Sequence, residues 1–65
     1  MNRLSLRITH LREGLEVLRR DEERLRYILQ YGTIADRERA HWDLARLKEK
    51  IKADELELKH LEAQQ

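Results

Sequence analysis

Apolar residues in the first half of the chain recur at alternating steps of three and four. The series is Met1, Leu4, Ile8, Leu11, Leu15, Leu18, Leu25 and Leu29. Residues with this spacing form one stripe along an α-helix, because one helical turn takes about 3.6 residues. Only Glu22 interrupts the stripe. The pattern predicts a first helix over about residues 3–31, in which Ile8 is heptad position a and Leu11 is position d.

The second half of the chain repeats the pattern with Asp54 as the polar interruption. Its apolar series is Ala40, Leu44, Leu47, Ile51, Leu58 and Leu61. The spacing predicts a second helix over about residues 34–63, with Leu44 at a and Leu47 at d.

Signals that end one helix and begin another lie next to each other between the two stripes. Gly32 is expected to end the first helix in the left-handed conformation, and the Thr33 hydroxyl is expected to cap the second, with Asp36 at the capping-box position. A turn at residues 32–33 is too short for anything but antiparallel neighbours. The competing interpretation is one continuous rod, and the glycine and the capping pattern argue against it.

The two stripes match when the chain doubles back. In an antiparallel pair the residue numbers of two facing residues add up to a constant. When that constant is 69, every core layer joins an a position of one helix to a d position of the other, as in Leu25 with Leu44 and Leu18 with Ile51. The sequence therefore predicts an all-α protein: a single antiparallel two-helix coiled-coil hairpin over residues 1–65.

Charged residues beside the stripes support this register weakly. They predict that Asp21 lies near Lys50 across the hairpin and that Arg12 lies near Glu55. Surface pairs of this kind stabilise a fold only slightly.

Two helices that touch along one seam leave one side of it in water. A second hairpin would cover that side and give a homodimeric four-helix bundle about 40–45 Å long, since a helix rises 1.5 Å per residue. The alternative is that another helical protein covers it. The predicted oligomer seam consists of Leu4, Ile8, Leu11, Leu15, Leu18, Leu25, Leu29, Leu44, Leu47, Ile51, Leu58 and Leu61.

The composition limits the classes of function. Charged residues make up 42% of the chain, and 14 Lys and Arg stand against 13 Asp and Glu, so no general attraction to polyanions is expected. Cysteine is absent, and no apolar run approaches the ~20 residues that span a bilayer. We expect a cytoplasmic protein with no membrane contact and no small-molecule substrate.

Polar residues in the stripes raise the question of a metal site. Glu22 and Asp54 would lie in the core, where we interpret them as a polar layer that fixes the register beside a nearby arginine; a carboxylate metal site is the alternative. Two Glu-x-x-His motifs with metal-site spacing fall outside the stripes, namely Glu38 with His41 and Glu57 with His60. We predict no metal, no cofactor and no enzymatic activity.

Apolar residues away from the stripes suggest a binding surface. Tyr27, Tyr31, Trp42 and Leu56 are the partner-binding candidates, because an exposed tryptophan often contacts another protein; ordinary scattered surface residues are the alternative. The leading hypothesis is a non-enzymatic structural or protein-interaction module, a self-associating hairpin that acts as adaptor, assembly factor or small chaperone.

Four basic residues at e positions suggest a second hypothesis. Arg19, Arg26, His41 and Lys48 would lie along one edge near the turn and are the polyanion-binding candidates; a solvated helix flank is the alternative. In architecture the predicted hairpin resembles Rop, the plasmid copy-number regulator, and this resemblance implies an RNA-binding regulatory dimer. Some type III secretion chaperones are similar short hairpins, which implies a co-chaperone as a further alternative.

Overall fold

The computed structural model describes residues 2–65, which form two α-helices of 29 residues each. Helix α1 spans Arg3–Tyr31 and α2 spans Ile34–Glu62. They pack side by side in a rod of 47 × 16 × 12 Å, and no strand occurs within the described residues. The predicted all-α hairpin is confirmed. Met1, the first residue of the predicted stripe, lies outside the described residues.

Side-chain caps begin both helices. The Thr33 hydroxyl accepts a hydrogen bond from the Asp36 N–H at 3.2 Å, which confirms the predicted cap of α2. Asn2 caps α1 by accepting from the Ser5 N–H at 2.7 Å. The sequence interpretation missed this cap, although asparagine is among the most favoured residues at that position.

Gly32 does not adopt the predicted left-handed conformation. Its φ of −77° and ψ of 172° are extended, and its N–H donates to the Ile28 carbonyl oxygen at 2.7 Å. A glycine is required here for a steric reason, because a Cβ would lie 2.6 Å from that same oxygen. Arg37 secures the turn from the other side, donating from Nε to the Gly32 carbonyl oxygen at 2.9 Å.

The core lies along the predicted seam and is thin. Its buried residues are Ile8, Leu11, Leu15, Ala40, Leu44 and Ile51. The other seam leucines are only partly buried, and these are Leu4, Leu18, Leu25, Leu29, Leu47, Leu58 and Leu61. One hairpin therefore leaves much of its apolar seam in contact with water.

The two polar interruptions are half-buried and paired with cations. Glu22 contacts Arg26 at 3.5 Å, and Asp54 contacts Lys50 at 3.1 Å. The nearby arginine that we expected is present for Glu22, whereas a lysine takes that role for Asp54. Each carboxylate is thus neutralised from its own helix, one turn away, rather than from across the hairpin.

Salt bridges between the helices report the register. Arg12 bonds Glu62 at 2.5 Å and Arg19 lies 3.5 Å from Glu55, and both pairs have numbers that add up to 74. On the opposite side of the seam, Arg7 bonds Glu57 at 2.7 Å, and their numbers add up to 64. The predicted core layers, whose residue numbers add up to 69, lie midway between the sums 64 and 74 of the two flanks. The predicted register is therefore confirmed.

The predicted ion pairs across the hairpin were wrong. Arg12 contacts Glu62 rather than Glu55, and Lys50 contacts Asp54 within its own helix rather than Asp21. The error is geometric. Position e lies on the C-terminal side of each core layer and position g lies on the N-terminal side. The residue numbers of a pair of e residues therefore add up to five more than those of a core layer, and the numbers of a pair of g residues to five less.

Candidate interaction surfaces

Both flanks of the seam are mostly charged. One flank carries the e positions of the two helices: Ser5, Arg12, Arg19, Arg26, Ile34, His41, Lys48, Glu55 and Glu62. The other carries the g positions: Arg7, Gly14, Asp21, Ile28, Asp36, Asp43, Lys50 and Glu57. A helix that packed onto either flank would have to bury charged side chains beside the partly exposed leucines, which is costly unless every charge finds a partner.

The hydrogen bond from Arg7 to Glu57 is the best-formed contact on these flanks. The guanidinium donates to both carboxylate oxygens, at 2.7 and 2.9 Å. This bond and the negative charge of Glu57 raise the pKa of the Arg7 guanidinium above its usual value. The pair links α1 to α2 near the open end of the hairpin, where both side chains remain largely exposed.

The four polyanion-binding candidates all lie on the e flank, and two of them are paired with carboxylates. Arg19 contacts Glu55 and Arg26 contacts Glu22, each at 3.5 Å. His41 and Lys48 are exposed. The positive charge of this edge is therefore reduced by the acidic side chains that lie within it.

Tyrosine side chains gather at the turn. The rings of Tyr27 and Tyr31 lie 4.7 Å apart, one helical turn from each other, and both are exposed. Ile34 does not join them and is 82% exposed. A shallow groove on the g flank beside the turn has both apolar and charged walls, formed by Leu25, Ile28, Gly32, Asp36, Arg39, Ala40 and Asp43.

An apolar surface lies on α2, opposite the seam. Trp42 is 63% exposed there and Leu56 is 56% exposed. Exposed alanines continue the surface along the helix, so that the apolar residues of the outer face of α2 are Ala35, Trp42, Ala45, Ala53, Leu56 and Ala63, with Glu38, Glu49 and His60 among them. A second shallow groove runs along it beside Trp42, Ala45, Arg46 and Glu49.

Comparison with protein-family models, curated proteins and solved structures found no match. Within residues 2–65, neither helix is long and apolar enough to cross a membrane. The same residues hold no group of three or more His, Cys, Asp or Glu side chains placed to bind a metal ion.

The sequence interpretation identified Trp42 and Leu56 but missed the alanines that join them. Its signal was present, since residues 42, 45, 49, 53 and 56 are spaced three or four apart, as the seam residues are, and all but Glu49 are apolar. The outer side of α1 also has exposed apolar residues, namely Leu6, Val17, Tyr27 and Tyr31, but charged residues such as Glu13, Arg20 and Arg24 take the positions that alanines occupy on α2. Helix α2 is therefore distinguished by a row of alanines that joins its two large exposed apolar residues.

Proposed function

We propose that this protein is a non-enzymatic protein-interaction module, a helical hairpin that acts by self-association as an adaptor, assembly factor or small chaperone. The observation that carries the proposal is its exposed surface. The chain exposes 5490 Å², whereas a compact monomer of its 7.9 kDa mass would expose about 4,400 Å². The excess of about 1,100 Å² exceeds the ~800 Å² that each partner buries in a typical stable interface.

The character of that surface also supports an interaction role. Partly exposed leucines line the seam, and large apolar side chains stand free on the outer face of α2. Apolar side chains in a contiguous row are typical of surfaces that bind other proteins. Two hairpins together would form a four-helix assembly. The closed bundle expected from the sequence would bury one charged flank of the seam.

Sedimentation equilibrium of the purified chain tests this proposal. We expect a mass of about twice the 7.9 kDa of one chain at micromolar concentration, with helicity that falls on dilution. A monomer mass at every concentration up to the millimolar range would contradict self-association.

The RNA-binding alternative has weaker support, because two of its four cations are already bonded to carboxylates. It stays a prediction. Fluorescence anisotropy with a labelled RNA hairpin at low salt checks it, since phosphate contacts are strongest there. Binding that falls on substitution of Arg19 and Arg26 by Ala would support it, and no binding would remove it.

A further inference from the structure

The outer face of α2 is symmetric about Glu49. A large apolar residue lies seven positions to either side (Trp42 and Leu56), and an alanine lies four positions to either side (Ala45 and Ala53). Two further alanines, Ala35 and Ala63, lie fourteen positions away. A face that reads the same in both directions can pair with an identical face that runs antiparallel to it, as a twofold axis requires.

We propose that the outer face of α2 binds the same face of a second copy of this chain, antiparallel, with the twofold axis at Glu49. The proposal rests on the self-association proposed above and names the surface that carries it. The two α2 helices then lie side by side at the centre of the dimer, and the two α1 helices lie on the outside. Each hairpin keeps its own seam and its own salt bridges.

Apolar packing in this dimer alternates large and small side chains. Trp42 lies against the partner's Leu56 and the partner's Ala53, and the symmetric contact occurs at the other end. Ala45 and Ala53 have no side chain beyond Cβ, so the two helix backbones can approach closely at the centre. The tryptophan then fills the space that the alanines leave.

The charges at the centre of this face are complementary in the antiparallel pair. Arg46 and Lys52 lie three residues to either side of Glu49. In the dimer each Glu49 carboxylate therefore lies between the partner's Arg46 and the partner's Lys52. Arg46 contacts Asp43 of its own helix at 2.6 Å, and its side chain is 80% exposed, so the partner can reach it. Four cations around two carboxylates overcome the repulsion between the two Glu49 side chains.

The length of the face and the alternatives favour a second copy as the occupant. The face runs from residue 35 to 63, about 42 Å at 1.5 Å per residue, which is nearly the full 47 Å of the molecule. A twofold pairing therefore matches the face along its whole length. The flanks of the seam are the competing surfaces. They are less suitable, because packing there would bury Arg12, Arg19 and their partners.

Substitution of the two large apolar residues tests the surface. Trp42→Glu together with Leu56→Glu should raise the dimer dissociation constant about 100-fold or more. Each substitution occurs in both copies, so the symmetric interface loses four large apolar side chains. The matched control is Leu6→Glu with Tyr27→Glu, a pair of similarly exposed apolar residues on the outer side of α1. We expect the control to dimerise like the wild type. Sedimentation equilibrium gives the masses, and circular dichroism reports whether each variant folds.

Disulfide formation gives a second measurement that does not depend on a disruptive substitution. The chain has no cysteine, so Glu49→Cys introduces one thiol at the proposed axis, and Glu13→Cys introduces one on the outer side of α1. On mild oxidation we expect a cross-linked dimer from the first variant and not from the second.

The outcomes separate this proposal from the one it rests on. The wild type could dimerise while the Trp42 and Leu56 substitutions leave the dimer intact and no cross-link forms at position 49. That result would show that the outer face of α2 is not the interface, and self-association would still hold. A wild-type monomer would overturn both. If the doubly substituted variant fails to fold, the cross-link at position 49 alone decides.

Discussion

The two glycines have opposite surroundings. A Cβ on Gly32 would lie 2.6 Å from the Ile28 carbonyl oxygen and 3.2 Å from Asp36 Cβ, whereas a Cβ on Gly14 would meet nothing within 4 Å. The first glycine is therefore needed for the tight turn. The second has no steric role in the hairpin and lowers the stability of α1 through its backbone entropy.

Alanine at each glycine should consequently change stability in opposite directions. We expect Gly32→Ala to lower the free energy of unfolding by about 1–3 kcal/mol, since backbone atoms must move apart. Gly14→Ala, its matched control, should raise it by ~1 kcal/mol through helix propensity. Urea unfolding at one fixed protein concentration measures both. Equal effects of the two substitutions would contradict this account of the turn.

The Thr33 cap gives a second prediction at this scale. Thr33→Ala removes the oxygen that accepts from the Asp36 N–H, and it should cost about 1 kcal/mol. Thr33→Ser keeps the hydroxyl and should restore most of the loss. Thermal unfolding followed by circular dichroism compares the three chains, and a serine variant as unstable as the alanine variant would show that the hydroxyl is not what matters.

At the level of the helices, the salt bridges on the flanks report the register directly. Arg12 faces Glu62, one heptad from the Glu55 partner that the sequence suggested. A double-mutant cycle between Arg12→Ala and Glu62→Ala should give a coupling of about 0.3–0.5 kcal/mol, small because both side chains are exposed. The same cycle with Glu55→Ala is the control and should give none. Equal couplings would mean that the helices slide between registers.

The sequence predicts the helices and the seam because apolar spacing alone determines which sides of two helices can be buried together. It does not predict the conformation of Gly32, because glycine adopts extended and left-handed backbones equally well and only the approach of Ile28 decides. It also gives the wrong flank pairs, because they depend on the offset of e and g from the core. The outer face of α2 was overlooked, because its alanines resemble ordinary surface positions until Trp42 and Leu56 are placed on the same side.

At the level of the whole molecule, the hairpin is a thin rod whose surface is large for its mass. Each helix buries one stripe, and α2 has a second apolar side that nothing in the hairpin covers. The proposed self-association would add stability to a molecule of this shape, because its own core is only one side chain deep. Every surface assignment follows from the chain doubling back at residues 32–33.

The distance between two labels on opposite helices tests that doubling back most directly. His10 and Lys59 are both exposed and their numbers add up to 69, so cysteine substitution at each and spin labelling disturb no core contact. Dilution of the labelled chain with unlabelled chain removes distances between molecules. Pulsed electron-spin resonance should give less than about 35 Å, since packed helix axes lie 8–10 Å apart. A distance near the ~74 Å of a continuous helix would contradict the hairpin.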